Sequence, residues 1–201
     1  HTVQHTDDGP RFEQSIEQLQ KLRPYFDRHN GTVTVGNASQ LTDGACAVML
    51  MKESRAKELG VKPLGFVRAA AAAALEPHRM GLGPVYATAR LIDEHKLAMK
   101  DFHLVEVNEA FAAVVIANER AFSSDAFART CLNRDRKVGD LNRDIVNVNG
   151  GAIALGHPVG MTGARLVLTL LHELHRQDKE LGLATMCVGG GQGVSVAIEA
   201  A

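Results

Sequence analysis

The spacing of apolar residues changes near residue 62 and divides the chain into two parts. In the first part, Phe12, Ile16 and Leu19 recur at helical spacing, while residues 46–51 form a continuous apolar run typical of a buried strand. The predicted elements are a helix over about 11–22 with Pro24 as its stop, a β-like run at 32–35, the strand at 46–51, and a charged helix over about 52–59 that ends at Gly60.

Beyond Lys62-Pro63, strand and helix patterns alternate. Residues 64–74 are ambiguous, because six consecutive alanines favour a helix whereas the Phe66-Val67 start and the Pro77 stop allow a strand; we favour the strand. The other predicted elements are a helix from Pro84 to His95, a strand at 102–107, a helix with Asn108 as its N-cap, a strand at 145–148, a helix with Thr162 as its N-cap, and antiparallel strands at 183–188 and 194–198. Residues 122–143 are polar and predict a long excursion. The order βαβαβαββ predicts a layered α/β domain, with a mixed sheet and helices on both faces.

Length, charge and cysteine count exclude several classes of protein. The 201 residues suffice for one large domain, and 45% hydrophobic with 22% charged residues is ordinary for a globular protein. A net charge of −1 does not favour binding to nucleic acid or an anionic membrane, and no apolar run approaches the roughly 20 residues of a membrane span. Cys46, Cys131 and Cys187 favour free thiols in a reducing compartment, which predicts a cytoplasmic location. His172 and His175 lack further ligands, so no metal site is predicted.

The first candidate for chemistry is His157, which lies among glycines and a proline between an apolar run and a helix. Residues 150–165 read Gly-Gly-Ala-Ile-Ala-Leu-Gly-His-Pro-Val-Gly-Met-Thr-Gly-Ala-Arg. Glycines let a ligand approach the backbone, and the start of the following helix favours anions. A phosphate-binding loop is disfavoured, because Arg165 stands where that motif needs Lys followed by Ser or Thr. An imidazole aimed at a ligand is therefore preferred to a solvated loop histidine.

The second candidate is Cys187, which is followed closely by a glycine-rich turn. A buried strand cysteine is most often inert, and Cys46 is interpreted in that way. The amides of residues 189–193 could form an oxyanion hole, whereas their glycine spacing does not match a dinucleotide-binding motif. A thiol and an imidazole in two rigid turns suggest cysteine–histidine acyl chemistry. Asn108, at a strand-to-helix corner, is either a helix cap or a residue that holds a water or a carbonyl.

Four segments stand in the order found in the thiolase family, which this chain resembles from about Arg11 to Ala201. They are residues 36–39 (Gly-Asn-Ala-Ser), 108–112 (Asn-Glu-Ala-Phe-Ala), 150–165 and 187–193. The resemblance implies a thiolase-like α/β fold and the C-terminal half of the family's protein. Residues 1–62 would supply the tail of the loop domain with the last strand and helix of the N-terminal half. Residues 63–201 would form the complete C-terminal domain.

The resemblance also implies a role for each matching residue. Cys187 would be the acid/base thiol, and His157 would activate the nucleophilic cysteine and help bind the thioester oxygen. Asn108 would hold a water that completes this oxyanion site, and the amide of Gly189 would contribute to a second one. The residues that line the path of CoA would be Arg11, Phe26, Ser39, Met80 and Phe111. CoA and acyl-CoA would be substrates, with no permanently bound cofactor.

One departure from the family limits the expected activity. The nucleophilic cysteine of thiolases belongs to the N-terminal half, and nothing in this chain matches its motif. Cys46 lies in the apolar run and Cys131 in the polar excursion, so neither is a credible substitute. Because double-displacement acyl transfer requires a nucleophile, we predict that the chain is a fragment, inactive by itself in thiolysis of acetoacetyl-CoA.

Residues 117–125 resemble the β-subunit of fatty-acid-oxidising complexes, which favours a degradative 3-ketoacyl-CoA thiolase. Those subunits tend to have His in place of Asn108, which counts against a strict match. The implied partners are acyl-CoA substrates, further copies in a homodimer or homotetramer and, for that subgroup, a fatty-acid oxidation α-subunit. Neither a nucleic acid nor a membrane span is expected.

Two alternatives remain open at this point. A ketoacyl synthase of the same fold is disfavoured, because Cys187 occupies a place where those enzymes lack a catalytic thiol. A non-catalytic CoA- or lipid-binding module would have no need of a proton-shuttling thiol. Alkylation should discriminate, since a catalytic Cys187 is expected to react faster than Cys46 and Cys131 at neutral pH.

Overall fold

The computed structural model describes residues 3, 5–7 and 9–201. The α-helices are α1 (Ile16–Gln20), α2 (Glu53–Leu59), α3 (Gly83–His95), α4 (Ala112–Phe122), α5 (Asp125–Cys131), α6 (Ala152–Leu155) and α7 (Thr162–Arg176). The strands are β1 (Gly65–Ala74), β2 (Leu104–Val107), β3 (Leu181–Val188) and β4 (Gln192–Ala200). Short 3-10 helices cover Pro77–Leu82, Met99–Asp101 and Arg143–Ile145. The longest described helix, α7, has 15 residues, and no described helix is long and apolar enough to cross a bilayer.

The four strands form one mixed sheet in the order β1-β4-β3-β2. The β1–β4 and β3–β4 pairs are antiparallel, and β2 runs parallel to β3. The predicted strand at 64–74 is confirmed as β1, although its alanines favour a helix. Ala69 and Ala71 are buried while Ala70 and Ala72 are exposed, which is the alternation of a strand with one covered face. Their small side chains let α3 pack closely against the sheet.

Helices cover both faces of the sheet, as predicted. On one face, α3 packs on β1, β3 and β4, and its fully buried Val85 and Leu91 belong to the same core as Leu183 and Ala197. On the other face, α7 packs on β2, β3 and β4. The buried residues of this second core are Leu104, Leu166, Leu170, Leu171, Leu174, Ala184 and Ile198. The sheet is therefore the middle of three layers.

The predicted strand at 145–148 is wrong, so the sheet has four described strands rather than five. Only Val146 bridges to Val105, and Asn147 next to it takes a φ of 48°. The Asn147 amide then takes the place of a backbone partner: its Oδ1 accepts from the Val107 N–H at 2.8 Å and its Nδ2 donates to the Val107 carbonyl at 2.9 Å. A side chain thus replaces the strand pairing at this edge.

The predicted N-caps Asn108 and Thr162 are also wrong. Phe111 occupies the cap position of α4, and Met161 that of α7, where Thr162 is already the first helical residue. The side chains of both residues contact the His157 imidazole nitrogens instead. The same polar groups that favour a cap can bond to a neighbouring segment, which the sequence pattern does not reveal.

The first sixty residues depart furthest from the predicted elements. Residues 46–51 and 32–35 form no strand, and no strand among the described residues pairs with either segment. The helix predicted over 11–22 is limited to α1, whereas α2 and its cap Gly60, with a φ of 67°, are confirmed. The polar excursion at 122–143 contains α5. An apolar run becomes a strand only when a neighbouring strand satisfies its backbone groups.

Candidate active site

The parallel pairing of β2 and β3 brings two of the predicted site residues to one sheet edge. Val107 pairs with Thr185, and the next residue, Asn108, donates its backbone N–H to the Thr185 carbonyl at 3.0 Å. Cys187 lies two residues further along β3, opposite Gly193 of β4. Carboxyl ends of parallel strands meet at the same edge, which is where open α/β sheets place their ligands. Asn108 is fully buried there, and Cys187 is 6% exposed.

His157 reaches this edge from the loop between α6 and α7. Its Nε2 lies 3.3 Å from the Asn108 Nδ2, and its Nδ1 lies 2.7 Å from the Thr162 Oγ1. Burial, together with the positive charge of Arg165, lowers the pKa of His157 below its ordinary value. The imidazole therefore favours its neutral form, the form that can accept a proton.

The segment at 37–44 lies between the histidine loop and the Asn108 corner. Gln40 accepts a hydrogen bond from the His157 backbone N–H at 3.2 Å, and Ser39 donates its own N–H to the Ala110 carbonyl at 3.0 Å. Ala38 forms an antiparallel bridge with Phe111. Backbone hydrogen bonds thus join the signature segments 36–39 and 108–112, and the next residue, Gln40, to the loop that carries His157.

Glu109 is a residue of this site that sequence reasoning missed. Its Oε1 accepts from the Asn147 Nδ2 at 2.8 Å, and its Oε2 accepts from the Ile153 N–H at 3.2 Å. A Cβ at Gly151 would overlap the Glu109 carboxyl group, which explains the glycine. Glu109 therefore ties the Asn108 corner to the loop that carries His157. Its position beside Asn108 was the available signal, but a contact across 44 residues leaves no periodic pattern.

The glycine-rich turn after Cys187 joins β3 to β4. Gly191 has a φ of 89°, and its carbonyl accepts from the Leu75 N–H at 2.8 Å, just beyond the end of β1. A Cβ at Gly191 would overlap the Leu75 carbonyl oxygen, so a side chain is excluded. Gly189 is exposed, and a Cβ there would meet no atom within 4 Å. The space beside the Gly189 Cα is therefore open.

The residues predicted to line the CoA path are only partly brought together. Phe26 and Phe111 form an edge-to-face pair with ring centroids 5.8 Å apart, beside Ser39. Met80 lies in the 3-10 helix Pro77–Leu82, which packs on α4, the helix that Phe111 begins. Arg11 is exposed, and its Nη1 donates to the Gly9 carbonyl at 2.8 Å and the Pro10 carbonyl at 3.3 Å.

The surroundings of Cys187 and Cys131 shift their thiol pKa values in opposite directions. The order of alkylation that they predict is the reverse of the one expected from the sequence. Burial raises the pKa of the Cys187 thiol, whereas hydrogen bonds from Thr130 and Arg79 lower the pKa of Cys131. The Arg79 Nη2 donates to the Cys131 Sγ at 3.6 Å. Since alkylation requires an accessible thiolate, Cys187 should now react more slowly than Cys131, whatever its catalytic role.

We therefore expect iodoacetamide at neutral pH to label the half-buried Cys131 faster than the buried Cys187, by roughly tenfold. Peptide mass spectrometry at several labelling times measures both rates in one sample. The Cys131→Ser variant is the control, because it should abolish the fast labelling at position 131 and leave the labelling rate of Cys187 unchanged. Faster labelling of Cys187 would show that its burial and raised pKa are not those of the chain in solution.

Comparison with known proteins identifies the family of this site. The model of the thiolase C-terminal domain matches residues 61–200, and the model of the thiolase N-terminal domain matches residues 1–54. The chain belongs to the thiolase family. This thiolase chain is 44% identical to a 3-ketoacyl-CoA thiolase of Aliivibrio fischeri and 46% identical to one of Yersinia enterocolitica, each over 194 residues. Both alignments cover 96% of the chain but 44% of the relative, so the chain spans less than half the length of these relatives.

Solved thiolase structures match the fold of this chain. The Bacillus anthracis acetyl-CoA acetyltransferase and the human mitochondrial 3-ketoacyl-CoA thiolase in complex with CoA each match with a TM-score of 0.83 and 40% identity. Each match covers 97% of this chain and 45% of the solved chain. The thiolase-like α/β fold that the signature segments implied is therefore confirmed.

Proposed function

We propose that this chain supplies the acid–base part of a thiolase that moves acyl groups between CoA thioesters. The reaction converts a 3-ketoacyl-CoA and CoA into acetyl-CoA and a shortened acyl-CoA, or runs as the reverse condensation. The observation that carries the proposal is the contact between Asn108 and His157 at the sheet edge where Cys187 also lies. The printed names of the relatives support this class of acyl transfer.

His157 would act on the nucleophilic cysteine, which the thiolase resemblance places in the N-terminal half. The S–H bond of that cysteine breaks, its proton passes to the His157 Nε2, and the thiolate attacks the substrate carbonyl carbon. The resulting imidazolium can donate to the thioester oxygen of the substrate, which gains negative charge when the enolate forms. Such a step needs a neutral imidazole at the start, in line with the lowered pKa of His157.

Asn108 would hold a water for the same oxygen. Its Oδ1 is buried and has no hydrogen-bond partner among the described residues. A water that donates one proton to this Oδ1 can donate the other to the thioester oxygen. The role as a water ligand, one of the two interpretations of Asn108, is thus favoured over the role as a helix cap.

Cys187 would be the acid/base thiol of the carbon–carbon bond step. When that bond breaks, the departing acetyl-CoA enolate takes the Cys187 proton at its α-carbon, and the thiolate then removes the proton of the incoming CoA thiol. The raised pKa keeps the thiol protonated at neutral pH until the enolate forms. The amide of Gly189 would donate to the oxygen of the attacked carbonyl, in a second oxyanion site.

The CoA path would run past the edge-to-face pair of Phe26 and Phe111, with Ser39 beside it. This placement rests on the backbone hydrogen bonds that hold residues 37–40 against the Asn108 corner. Met80 would border the same path from the 3-10 helix packed on α4. Arg11 keeps only its sequence match as support. CoA and acyl-CoA would act as substrates, with no permanently bound cofactor.

Met49 and Leu50 are 81% and 78% exposed in the apolar segment 46–51, which would pair with further strands of the thiolase N-terminal domain. Residues 1–62 and 63–201 would be the two structural parts of this chain. Its partners would be further copies in a homodimer or homotetramer and the α-subunit of a fatty-acid oxidation complex, and its location would be cytoplasmic. The boundaries of the two family-model matches support the division into two parts.

A chimaera tests the proposed function. The N-terminal portion of the Aliivibrio fischeri relative, joined in frame to this chain, should cleave acetoacetyl-CoA in the presence of CoA. The chain by itself should show no thiolysis, because it carries no match to the nucleophile motif. Consumption of acetoacetyl-CoA and formation of acetyl-CoA are followed together. Thiolysis by the chain alone would contradict the expected dependence on a nucleophile from the N-terminal half.

A further inference from the structure

The buried hydroxyl of Thr162 lies behind His157, on the side away from Asn108. The Thr162 Oγ1 is 2.7 Å from the His157 Nδ1 and 3.0 Å from the Pro158 carbonyl oxygen. Thr162 is fully buried as the first residue of α7. Neither its motif match nor the proposed chemistry assigns it a role beyond helix initiation.

The number of protons in this chain of contacts fixes the direction of each hydrogen bond. A threonine hydroxyl has one proton and two lone pairs, and a carbonyl has no proton. The Pro158 carbonyl also accepts the backbone N–H groups of Met161 and Thr162, but two oxygens 3.0 Å apart repel each other unless a proton lies between them. The Thr162 proton therefore points to this carbonyl, which leaves the hydroxyl oxygen to accept from the His157 Nδ1–H. In a neutral imidazole the Nε2 then carries the lone pair.

The opposite side of the imidazole agrees with this assignment. The Asn108 amide presents its Nδ2, a donor, to the His157 Nε2 at 3.3 Å. A protonated Nε2 would face this N–H with a second N–H, and the contact would be repulsive. The partners on both sides of the ring are therefore satisfied together only when the proton is on Nδ1.

We propose that Thr162 is a positioning residue that holds His157 in its Nδ1–H tautomer and so leaves the Nε2 as the base. This inference deepens the proposed function and rests on it for its catalytic consequence. When the nucleophilic thiol gives its proton to the Nε2, the hydrogen bond from the Asn108 Nδ2 is given up. The Nδ1–H stays bonded to Thr162, and the ring does not need to turn. The opposite tautomer would present a proton to that thiol and could not accept another.

The tautomer can be measured without catalysis, by ¹⁵N chemical shifts of the imidazole nitrogens in the 201-residue chain at a pH above the pKa of His157. The wild type and Thr162→Ser should show the Nδ1–H form. In Thr162→Val the ratio of the Nδ1–H to the Nε2–H form should fall about tenfold, as expected for the loss of one neutral hydrogen bond. Thr169→Val, at a half-buried position on the same helix, is the matched control and should leave the ratio unchanged.

Two results would overturn the inference. One is a wild-type chain with the proton on Nε2, which needs no variant and does not depend on the folding of Thr162→Val. The other is an unchanged ratio in Thr162→Val. In the active chimaera, Thr162→Val should lower kcat at least tenfold with little change in KM, and Thr162→Ser should restore it. An inactive chimaera would count against the proposed function but would leave the tautomer result standing.

Discussion

Replacing His157 by alanine should lower kcat for thiolysis about 10²–10⁴-fold in the chimaera, the range that a positioned general base contributes. The imidazole is the group that would take the proton of the nucleophilic thiol, and its Nε2 lies at the site edge beside Asn108. Burial and the nearby Arg165 charge keep it neutral. Without it the nucleophile has to ionise unaided, so the loss should fall on kcat rather than on the KM for acetoacetyl-CoA.

A second histidine on the neighbouring helix provides the matched control. His172 is exposed on α7, and its replacement by alanine should leave kcat within about twofold, since surface changes rarely matter. Steady-state thiolysis rates of the two variants and the parent chimaera give the comparison. A His157→Ala variant that retains more than a third of the parent kcat would remove His157 from the proposed mechanism.

The stability of the chain should depend on pH through Glu106, a carboxyl buried beneath the site. Glu106 on β2 is 3% exposed, and its Oε2 has no partner among the described residues. Burial, together with smaller contributions from the carboxylates of Glu109 and Glu173, raises its pKa to about 7 despite the opposing charge of Arg165. Arg165 also has buried nitrogens without a partner in the described part of the chain. The carboxyl is therefore favoured in its neutral form.

The sign of the pH effect follows from the two pKa values. The unfolded chain loses this proton near 4.5 and the folded chain near 7, so the free energy of unfolding falls as pH rises between them. The difference between the two pKa values corresponds to about 3 kcal/mol of stability, which the folded chain has below pH 4.5 and has lost above pH 7. Glutamine cannot ionise, so Glu106→Gln should gain about this amount over the wild type between about pH 4 and pH 8.

Urea unfolding at several pH values measures the difference in the free energy of unfolding between Glu106→Gln and the wild type. The pH dependence caused by the other ionisable groups is common to both proteins and cancels in this difference. Any constant offset from the altered contact with Arg165 cancels as well, because only the change with pH is compared. Glu180→Gln, at an exposed position, is the control and should give a difference that does not vary with pH. A flat difference for Glu106→Gln would show that the carboxyl ionises as freely in the folded chain as in the unfolded one.

Elements whose signal is local were predictable from the sequence. The hairpin of β3 and β4 follows from two β-rich runs around a glycine turn, and α3 follows from helical spacing behind Pro84. Even β1 could be predicted, because its ambiguous alanines are bounded by strand and stop signals. The thiolase resemblance added the fold, which is confirmed, and the proposed roles of the site residues.

Contacts between distant segments were not predictable, and they decide how the site is held. The amide of Asn147 substitutes for a strand, and Glu109 bonds the segment around Ile153. The Thr162 hydroxyl contacts the His157 Nδ1 rather than capping its own helix. Each of these side chains has a local role by propensity and a different, long-range role in the fold. The apolar run 46–51 failed as a strand prediction because a strand requires a partner, which periodicity cannot supply.

The most direct test of the acid–base assignment is the rate of acetoacetyl-CoA thiolysis by the chimaera with and without the Cys187 thiol. The account predicts measurable thiolysis by the parent, a loss of about 10²–10⁴-fold in kcat for Cys187→Ala, and a change within about twofold for the control Cys46→Ala. Thiolysis by Cys187→Ala at the rate of the parent would contradict it, because the Cys187 thiol would then move no proton in the reaction.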